Sequence, residues 1–277
     1  ERLLQRRPAA AAPLCISLPP ETDPALAQAL LYSGLCLDDL GESGAAAERL
    51  TRALRHPGLT RDQQLIASER LGLNLARLRR WREAAALADQ LLRAMPADTR
   101  ARTTGARILR AVAATSLNPA LAAQALDQAK TALEPLAESG DEAALLEAVR
   151  VQNARGDRDG AYARLAPYLD RRPDDLATRL EFAALSQAVG RDRELLFALE
   201  RAAKNSMEAA AEPVTELTRA LAQDRLTPEA LALAAIAIEG DPATQALRLC
   251  RFYFDQEREN DALAALERAE AAFPDDE

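Results

Sequence analysis

The chain has 277 residues, of which 48% are hydrophobic and 28% charged, so it is long enough to bury a large core. Its net charge of −8 at pH 7 disfavours nucleic acid as a partner, because phosphate binding needs a basic surface. Ala and Leu dominate, aromatic residues make up only 4%, and no apolar run approaches the roughly 20 residues that span a bilayer. This balance favours helices over strands and predicts an all-α chain.

Residues 1–22 open the chain with ERLLQRRPAAAAPL, a phrase typical of a helix that stops at Pro8. We expect this segment to be the end of a preceding helical unit followed by a linker. The chain finishes in a similar phrase that stops at Pro274. Both ends therefore suggest a piece of a longer array, whose flanking segments would carry any targeting signal or membrane contact.

Capping residues and prolines mark the helices between these ends. Four helix starts pair a capping side chain with a proline at the first helical position: Asp23-Pro24, Asn118-Pro119, Thr227-Pro228 and Asp241-Pro242. Four stops follow charged helical turns: Pro57, Pro96, Pro173 and Pro274. Over residues 23–277 these signals predict about fourteen helices in seven pairs, near 24–56, 60–94, 98–137, 140–171, 174–207, 212–238 and 242–273.

The pairs repeat with a fixed period. Gly156 and Gly190 lie 34 residues apart, and each separates two helical stretches at a charged elbow. A period of 34 is typical of a helix–turn–helix unit that stacks on copies of itself. The third and sixth pairs are irregular, because the third has the long elbow 115–118 and the sixth carries Pro213 near its start.

This pattern resembles the tetratricopeptide repeat (TPR) family. The matching positions are Gly34, Leu37, Leu40-Gly41, Ala46, Leu50, Ala53 and Pro57 in the first pair, Leu71-Gly72, Leu75, Trp81, Ala84 and Pro96 in the second, Gly156, Ala161, Leu165 and Pro173 in the fourth, and Leu249, Cys250, Tyr253, Ala262, Leu266, Ala269 and Pro274 in the last. The resemblance implies a right-handed superhelical solenoid of about seven hairpins, in which small residues allow close helix approach. Sel1-like repeats, which are longer and richer in glycine, and pentatricopeptide repeats, which should be basic, are the alternatives.

The resemblance also implies a concave groove lined by the first helix of each pair. Ten side chains are expected there: Glu69, Leu73, Arg102, Leu109, Leu146, Arg150, Asn153, Gln187, Arg251 and Phe254. Among them Arg102, Arg150 and Arg251 would place cations in an acidic protein, where guanidinium groups suit anions or pair with neighbouring Glu. The terminal-carboxylate clamp of chaperone-binding relatives is not expected, because the equivalent positions Leu31 and Leu35 are apolar.

Residues that could carry chemistry are few. His56 is the single histidine and lies at a predicted helix C-terminus, where it meets free carbonyls. Three scattered cysteines, Cys15, Cys36 and Cys250, favour neither a zinc site nor a disulfide framework, although a Cys15–Cys36 bridge could form in an oxidising compartment. We expect the carboxylates of Asp38-Asp39 to be solvated caps at an elbow. The sequence thus predicts no catalytic residue, no cofactor and no metal, and hence no enzyme.

A basic cluster surrounds the single tryptophan. Arg77, Arg79, Arg80 and Arg82 flank Trp81, an arrangement that could stack a base or grip a phosphate. The interpretation we favour is a solvated elbow whose tryptophan packs the second helix of the pair.

The sequence therefore predicts a protein–protein interaction scaffold within a larger bacterial polypeptide, with a protein or peptide as partner. Related repeats occur in the periplasmic arms of exopolysaccharide-export and envelope-assembly systems, so the periplasm is favoured over the cytoplasm. The alternative function is a groove that binds an acidic polymer or another anion through Arg102, Arg150 and Arg251. Self-association through the exposed ends of the solenoid is a further expectation.

Overall fold

A computed structural model describes residues 25–172, 175–191, 236, 242–255 and 257–272. The chain divides into two compact units, Glu1–Asp157 and Arg158–Glu277. The described residues contain helices and no strand, which confirms the all-α prediction. The predicted segment 1–22, the second helix of the fifth pair and most of the sixth pair lie outside the described residues.

The first unit is a row of consecutive helix hairpins. Its helices are α1 (Leu26–Asp39), α2 (Ser43–Arg55), α3 (Arg61–Arg77), α4 (Trp81–Ala94), α5 (Thr99–Thr115), α6 (Pro119–Glu138) and α7 (Glu142–Ala154). We call the first helix of each hairpin its A helix (α1, α3, α5 and α7) and the second its B helix (α2, α4 and α6). Each A helix contacts its own B helix where one is present in this unit, the preceding B helix and the next A helix, so the hairpins stack in sequence order.

Local sequence explains where these helices begin. The Thr60 hydroxyl accepts from the backbone N–H of Gln63, whose side chain accepts from the N–H of Thr60, which completes a capping box at α3. Asn118 caps α6 in front of Pro119, as the sequence predicts. Asp98 caps α5 through the backbone N–H of Ala101.

The core consists mainly of alanine and leucine, and glycines set its closest helix contacts. A Cβ atom on Gly34 of α1 would lie 2.7 Å from Cγ of Leu50 in α2, so this glycine serves packing within a hairpin. A Cβ atom on Gly72 of α3 would lie 2.6 Å from Cγ1 of Ile108 in α5. Gly72 therefore serves packing between successive hairpins.

Several elbows between helices contain a residue in the left-handed conformation. Gly41, between α1 and α2, has φ of 82°, and the two glycines that reveal the period, Gly156 and Gly190, have φ of 86° and 72°. At the elbow between α3 and α4 the same role falls to Arg79, with φ of 60°. A side chain in this region is strained, because Cβ approaches the carbonyl oxygen.

The second unit is described in part. Its helices are α8 (Arg158–Arg171), α9 (Leu176–Glu181), α10 (Ala183–Ala188), α11 (Pro242–Asp255) and α12 (Glu259–Ala272). The single first helix predicted for the fifth pair is divided here into α9 and α10 at Phe182, a buried residue outside helical geometry. The last two helices pack as a hairpin around Leu249, Tyr253 and Ala262, together with Ile236.

Candidate functional site

Each A helix of the first unit has an exposed face that carries both polar and apolar side chains. On α3 this face follows helical spacing, with Ile66, Arg70, Leu73 and Arg77 at i, i+4, i+7 and i+11. Ile66 is 41% exposed, although it is a large apolar residue. We call this region the A-helix surface; its members are Tyr32, Ile66, Arg70, Leu73, Arg77, Arg107, Arg110, Leu146 and Arg150.

A buried carboxylate joins the first two A helices. Asp38 of α1 accepts from Nη1 of Arg70 at 3.0 Å and from Nη1 of Arg77 at 2.6 Å. The Nδ2 amide of Asn74 donates to the same carboxylate at 3.0 Å. The Asp38 side chain is only 3% exposed, so it is a paired internal group and the predicted solvated cap is wrong at this position.

Arg107 links the second A helix to the third. Its Nη1 lies 3.1 Å from Oε1 and 3.4 Å from Oε2 of Glu69. Its Nε lies 3.8 Å from Oε2 of Glu147, so one guanidinium faces carboxylates from α3 and α7.

Glu147 is the most enclosed member of this network. Its side chain has no exposed area, and its Oε1 accepts from Nε of Arg110 at 2.6 Å. Its Oε2 accepts from Nη1 of Arg150 at 2.9 Å. Taking an isolated carboxylate out of water costs several kcal/mol, so Glu147 depends on the guanidinium groups around it.

The charges of this network are arranged in two layers. The carboxylates of Asp38, Glu69 and Glu147 are 3%, 26% and 0% exposed. The side chains of the arginines that pair with them are 22% to 52% exposed. Anions therefore lie beneath the A-helix surface and cations lie on it.

Four predicted groove residues other than arginine lie on A helices of the first unit and have accessible side chains. They are Glu69 and Leu73 on α3, and Leu146 and Asn153 on α7. Arg150 belongs to the network through Glu147. Leu109 is fully buried in the core and offers no surface to a ligand. Arg102 is half-buried on α5, about 140° around the helix from Arg107.

The other three predicted groove residues belong to the second unit. Gln187 is exposed on α10. Arg251 lies on α11 with its Nε 3.9 Å from Oδ2 of Asp255, and Phe254 is 66% exposed.

Sequence reasoning missed both groups of ion pairs, Asp38 with Arg70 and Arg77, and Glu147 with Arg107 and Arg110. A usable signal was present, because several paired charges lie about one repeat apart: 39 residues separate Asp38 from Arg77, 38 separate Glu69 from Arg107, and 37 separate Arg110 from Glu147. Opposite charges at about the repeat length indicate contact between neighbouring A helices.

The basic cluster at the elbow between α3 and α4 is divided among separate partners. Arg77 turns to Asp38, and Arg80 pairs with Glu83 through Nε and Nη2 at 2.7 Å and 2.6 Å. Trp81 is half-buried and packs against the core, as the favoured interpretation expects.

A second polar cluster connects α8 to α9. Tyr168 Oη donates to Oδ2 of Asp175 at 2.7 Å, and Thr178 donates to the same oxygen at 2.8 Å. Burial raises the pKa of Tyr168, and the hydrogen bond to Asp175 adds to that rise. Burial also acts to raise the pKa of Asp175, but hydrogen bonds from Thr178 and Tyr168 outweigh it and hold that pKa below its usual range.

The cysteines and possible metal ligands are the remaining candidates for chemistry. Cys36 is buried and disulfide-bonded, whereas Cys250 is free; Cys15, the predicted partner of Cys36, lies outside the described residues. Within the described ranges no group of three or more His, Cys, Asp or Glu side chains could hold a metal ion. No helix in that part of the chain has both the length and the apolar character needed to cross a membrane.

Comparison with solved structures identifies a similar fold. A thermophilic TPR protein from Thermus thermophilus matches with a TM-score of 0.50 and 21% sequence identity, over 71% of this chain and 97% of that chain. Neither a protein-family model nor a curated protein sequence matches the chain. The likeness confirms the predicted TPR-like fold of consecutive helix hairpins.

Proposed function

We propose that this chain is a protein-interaction scaffold that binds a segment of a partner protein on its A-helix surface. The observation that carries the proposal is the combination of TPR-like hairpins with exposed apolar and cationic side chains on successive A helices. Ile66 and Tyr32 are 41% and 59% exposed there, which favours contact with a partner.

The ion pairs beneath this surface support the proposal. Arg70 and Arg77 are held by Asp38, and Arg110 is held by Glu147. Side chains that are fixed before binding lose less conformational entropy on binding, so a pre-ordered surface binds more tightly.

We also propose the bacterial envelope as the setting, within a larger polypeptide such as the periplasmic arm of an export or assembly system. The disulfide bond of Cys36 supports an oxidising compartment, because structural disulfides persist there and are rare in the cytosol. The anionic-polymer alternative named Arg102, Arg150 and Arg251, which lie in both units. We therefore propose no joint site for the three.

Photo-crosslinking in living cells tests the scaffold function. A photoreactive amino acid at Ile66 should give discrete protein adducts, whereas the same group at Leu117, which is 76% exposed at the elbow between α5 and α6, should not. The substitution Leu73→Glu should remove the adducts at Ile66 while the helix content stays unchanged. Equal adducts from both positions, or none from Ile66, would contradict the proposal.

A further inference from the structure

We propose that the partner segment is acidic, with carboxylate side chains about three residues apart that bind the arginines of α3 and α5. This inference rests on the proposed function and adds the chemistry of the partner. The arginines concerned are Arg70 and Arg77 on α3 and Arg107 and Arg110 on α5; we call them the arginine layer.

The local charge balance supports an anionic partner. The four arginines of the layer face the three carboxylates of Asp38, Glu69 and Glu147, which leaves one positive charge in excess. The chain as a whole carries −8, so this excess is a local reversal of sign. Because the carboxylates are the more buried partners, an approaching ligand meets the guanidinium groups first.

The arginines keep hydrogen-bonding capacity beyond their internal pairs. Arg70 contacts Asp38 through Nη1, and Arg110 contacts Glu147 through Nε. A guanidinium has five N–H donors, so each can hold its internal carboxylate with one edge and a second carboxylate with another. Their side chains are 44% and 35% exposed, which leaves that second edge accessible.

The distances between these arginines set the spacing of the ligand. Arg70 and Arg77 both bind the Asp38 carboxylate, so they form one cationic group on α3, and Arg107 and Arg110, which both face Glu147, form a second on α5. Neighbouring packed helices such as α3 and α5 lie about 8 to 10 Å apart. A polyproline II-like chain advances about 3.1 Å per residue with three residues per turn, so carboxylates three residues apart lie on one face, about 9 Å apart, and can reach both groups.

Apolar side chains between the arginines favour a protein over other polyanions. Leu73 lies between Arg70 and Arg77 on the exposed face of α3, and Ile66 lies one turn before Arg70. Acidic peptides can place leucine or valine on these positions, whereas a polysaccharide or a nucleic acid has no aliphatic side chain to bury there. A net charge of −8 also repels a long polyphosphate.

Fluorescence anisotropy with the full chain tests the inference. The probes are end-capped peptides of about twelve residues with Glu at every second, third or fourth position and Leu between. In each control peptide Gln replaces Glu. We expect the three-residue spacing to bind best, binding to weaken as salt rises, and the Gln peptide to bind at least about tenfold more weakly.

Three variants separate the arginine layer from the fold. Arg70→Gln with Arg110→Gln should weaken binding of the acidic peptide about tenfold or more, with circular dichroism confirming the helices. Ile66→Glu removes none of the ion-paired residues. It should also weaken binding of the acidic peptide, because the substitution adds a carboxylate to the A-helix surface. Arg93→Gln, an exposed arginine of the B helix α4, should leave binding unchanged.

Several results would overturn the inference. The first is a Gln peptide that binds as tightly as the Glu peptide. The second is a double arginine variant that binds the acidic peptide as tightly as the wild-type chain. The third is tighter binding of alginate, or of a thymidine oligonucleotide, than of the acidic peptide. A partner that crosslinks at Ile66 but carries no acidic segment would also overturn it, while leaving the scaffold function intact.

Discussion

Nε of Arg110 on α5 lies 2.6 Å from Oε1 of Glu147 on α7, a carboxylate with no exposed area. This ion pair joins the third A helix to the fourth, and its two residues lie 37 positions apart in the sequence. It also shows how the A-helix surface is stabilised, because each exposed arginine of the layer is held by a more buried anion from a neighbouring A helix.

Removing that anion should destabilise the chain. Glu147→Gln removes the buried anion that Arg107, Arg110 and Arg150 share, so we expect a loss of about 2 to 4 kcal/mol in the free energy of unfolding. Urea denaturation followed by the fluorescence of Trp81, which lies in the first unit, measures this loss. The matched control is Glu83→Gln, which breaks the exposed pair with Arg80 and should cost much less, because water screens that pair. Equal losses in the two variants would contradict the buried role of Glu147.

The contact at Gly72 should not accept a methyl group. In Gly72→Ala the new Cβ would lie 2.6 Å from Cγ1 of Ile108, so we expect destabilisation of about 1 to 3 kcal/mol in thermal or urea unfolding. The second substitution Ile108→Ala should lessen the effect of Gly72→Ala. Gly44→Ala, where nothing lies within 4 Å, is the control and should be neutral or stabilising.

The strained elbow residue offers a stabilising change. Arg79 has φ of 60°, a conformation that glycine adopts without steric cost, so Arg79→Gly should raise the free energy of unfolding by up to about 1 kcal/mol. Gly41→Ala is the reverse change at the equivalent elbow and should lower it by about 1 kcal/mol. Chemical denaturation of both variants measures the pair of effects, and a loss of stability in Arg79→Gly would contradict the assigned strain.

Low pH should remove the stabilisation that Asp98 provides as the N-cap of α5. The backbone N–H of Ala101 lowers the pKa of Asp98 most strongly; burial opposes this, and the charge of Arg61 adds to the lowering. A lowered folded-state pKa means that the stabilisation is complete above the usual Asp pKa of about 4 and is lost as the pH falls through the lowered value.

We therefore expect Asp98→Ala to cost about 1 kcal/mol at pH 7 and progressively less below about pH 4. Urea unfolding at several pH values measures the gap between the wild-type chain and the variant. Asp98→Asn keeps a capping oxygen that does not titrate, so its advantage over Asp98→Ala should not change with pH. A gap that widens in acid would contradict the assignment.

The disulfide bond of Cys36 can be mapped directly. We expect peptide mass spectrometry without reductant to link Cys36 to Cys15, and Cys250 to react with a thiol reagent in the unfolded chain. Finding Cys36 as a free thiol in protein isolated from an oxidising compartment would refute this pairing.

The helices were predictable because their signals are local. Asn118 and Pro119 begin α6 through their own chemistry, and the elbow at Gly156 needs a residue that tolerates positive φ. The break between α9 and α10 at Phe182 was not predictable, because neither proline nor glycine marks it.

The candidate site was predictable only in part. The family resemblance led us to expect Glu69 and Arg150 in the groove, but their connection through Arg107 depends on contacts between hairpins. The family resemblance assigned Leu109 to the groove, whereas the actual rotation of α5 turns it into the core and presents Arg107 and Arg110 instead. Helix rotation is set by packing against both neighbours, which no single repeat determines.

Arg107 also limits how the first unit can be shortened. Because this residue faces Glu69 of α3 and Glu147 of α7, three successive hairpins share one polar contact. Ending the chain before α7 would therefore remove a counter-ion from the remaining helices in addition to apolar area. Excision of the hairpin α5–α6 would strand two carboxylates at the new junction. Engineers who lengthen or trim this array by whole repeats will need to carry the charge pattern across each new boundary.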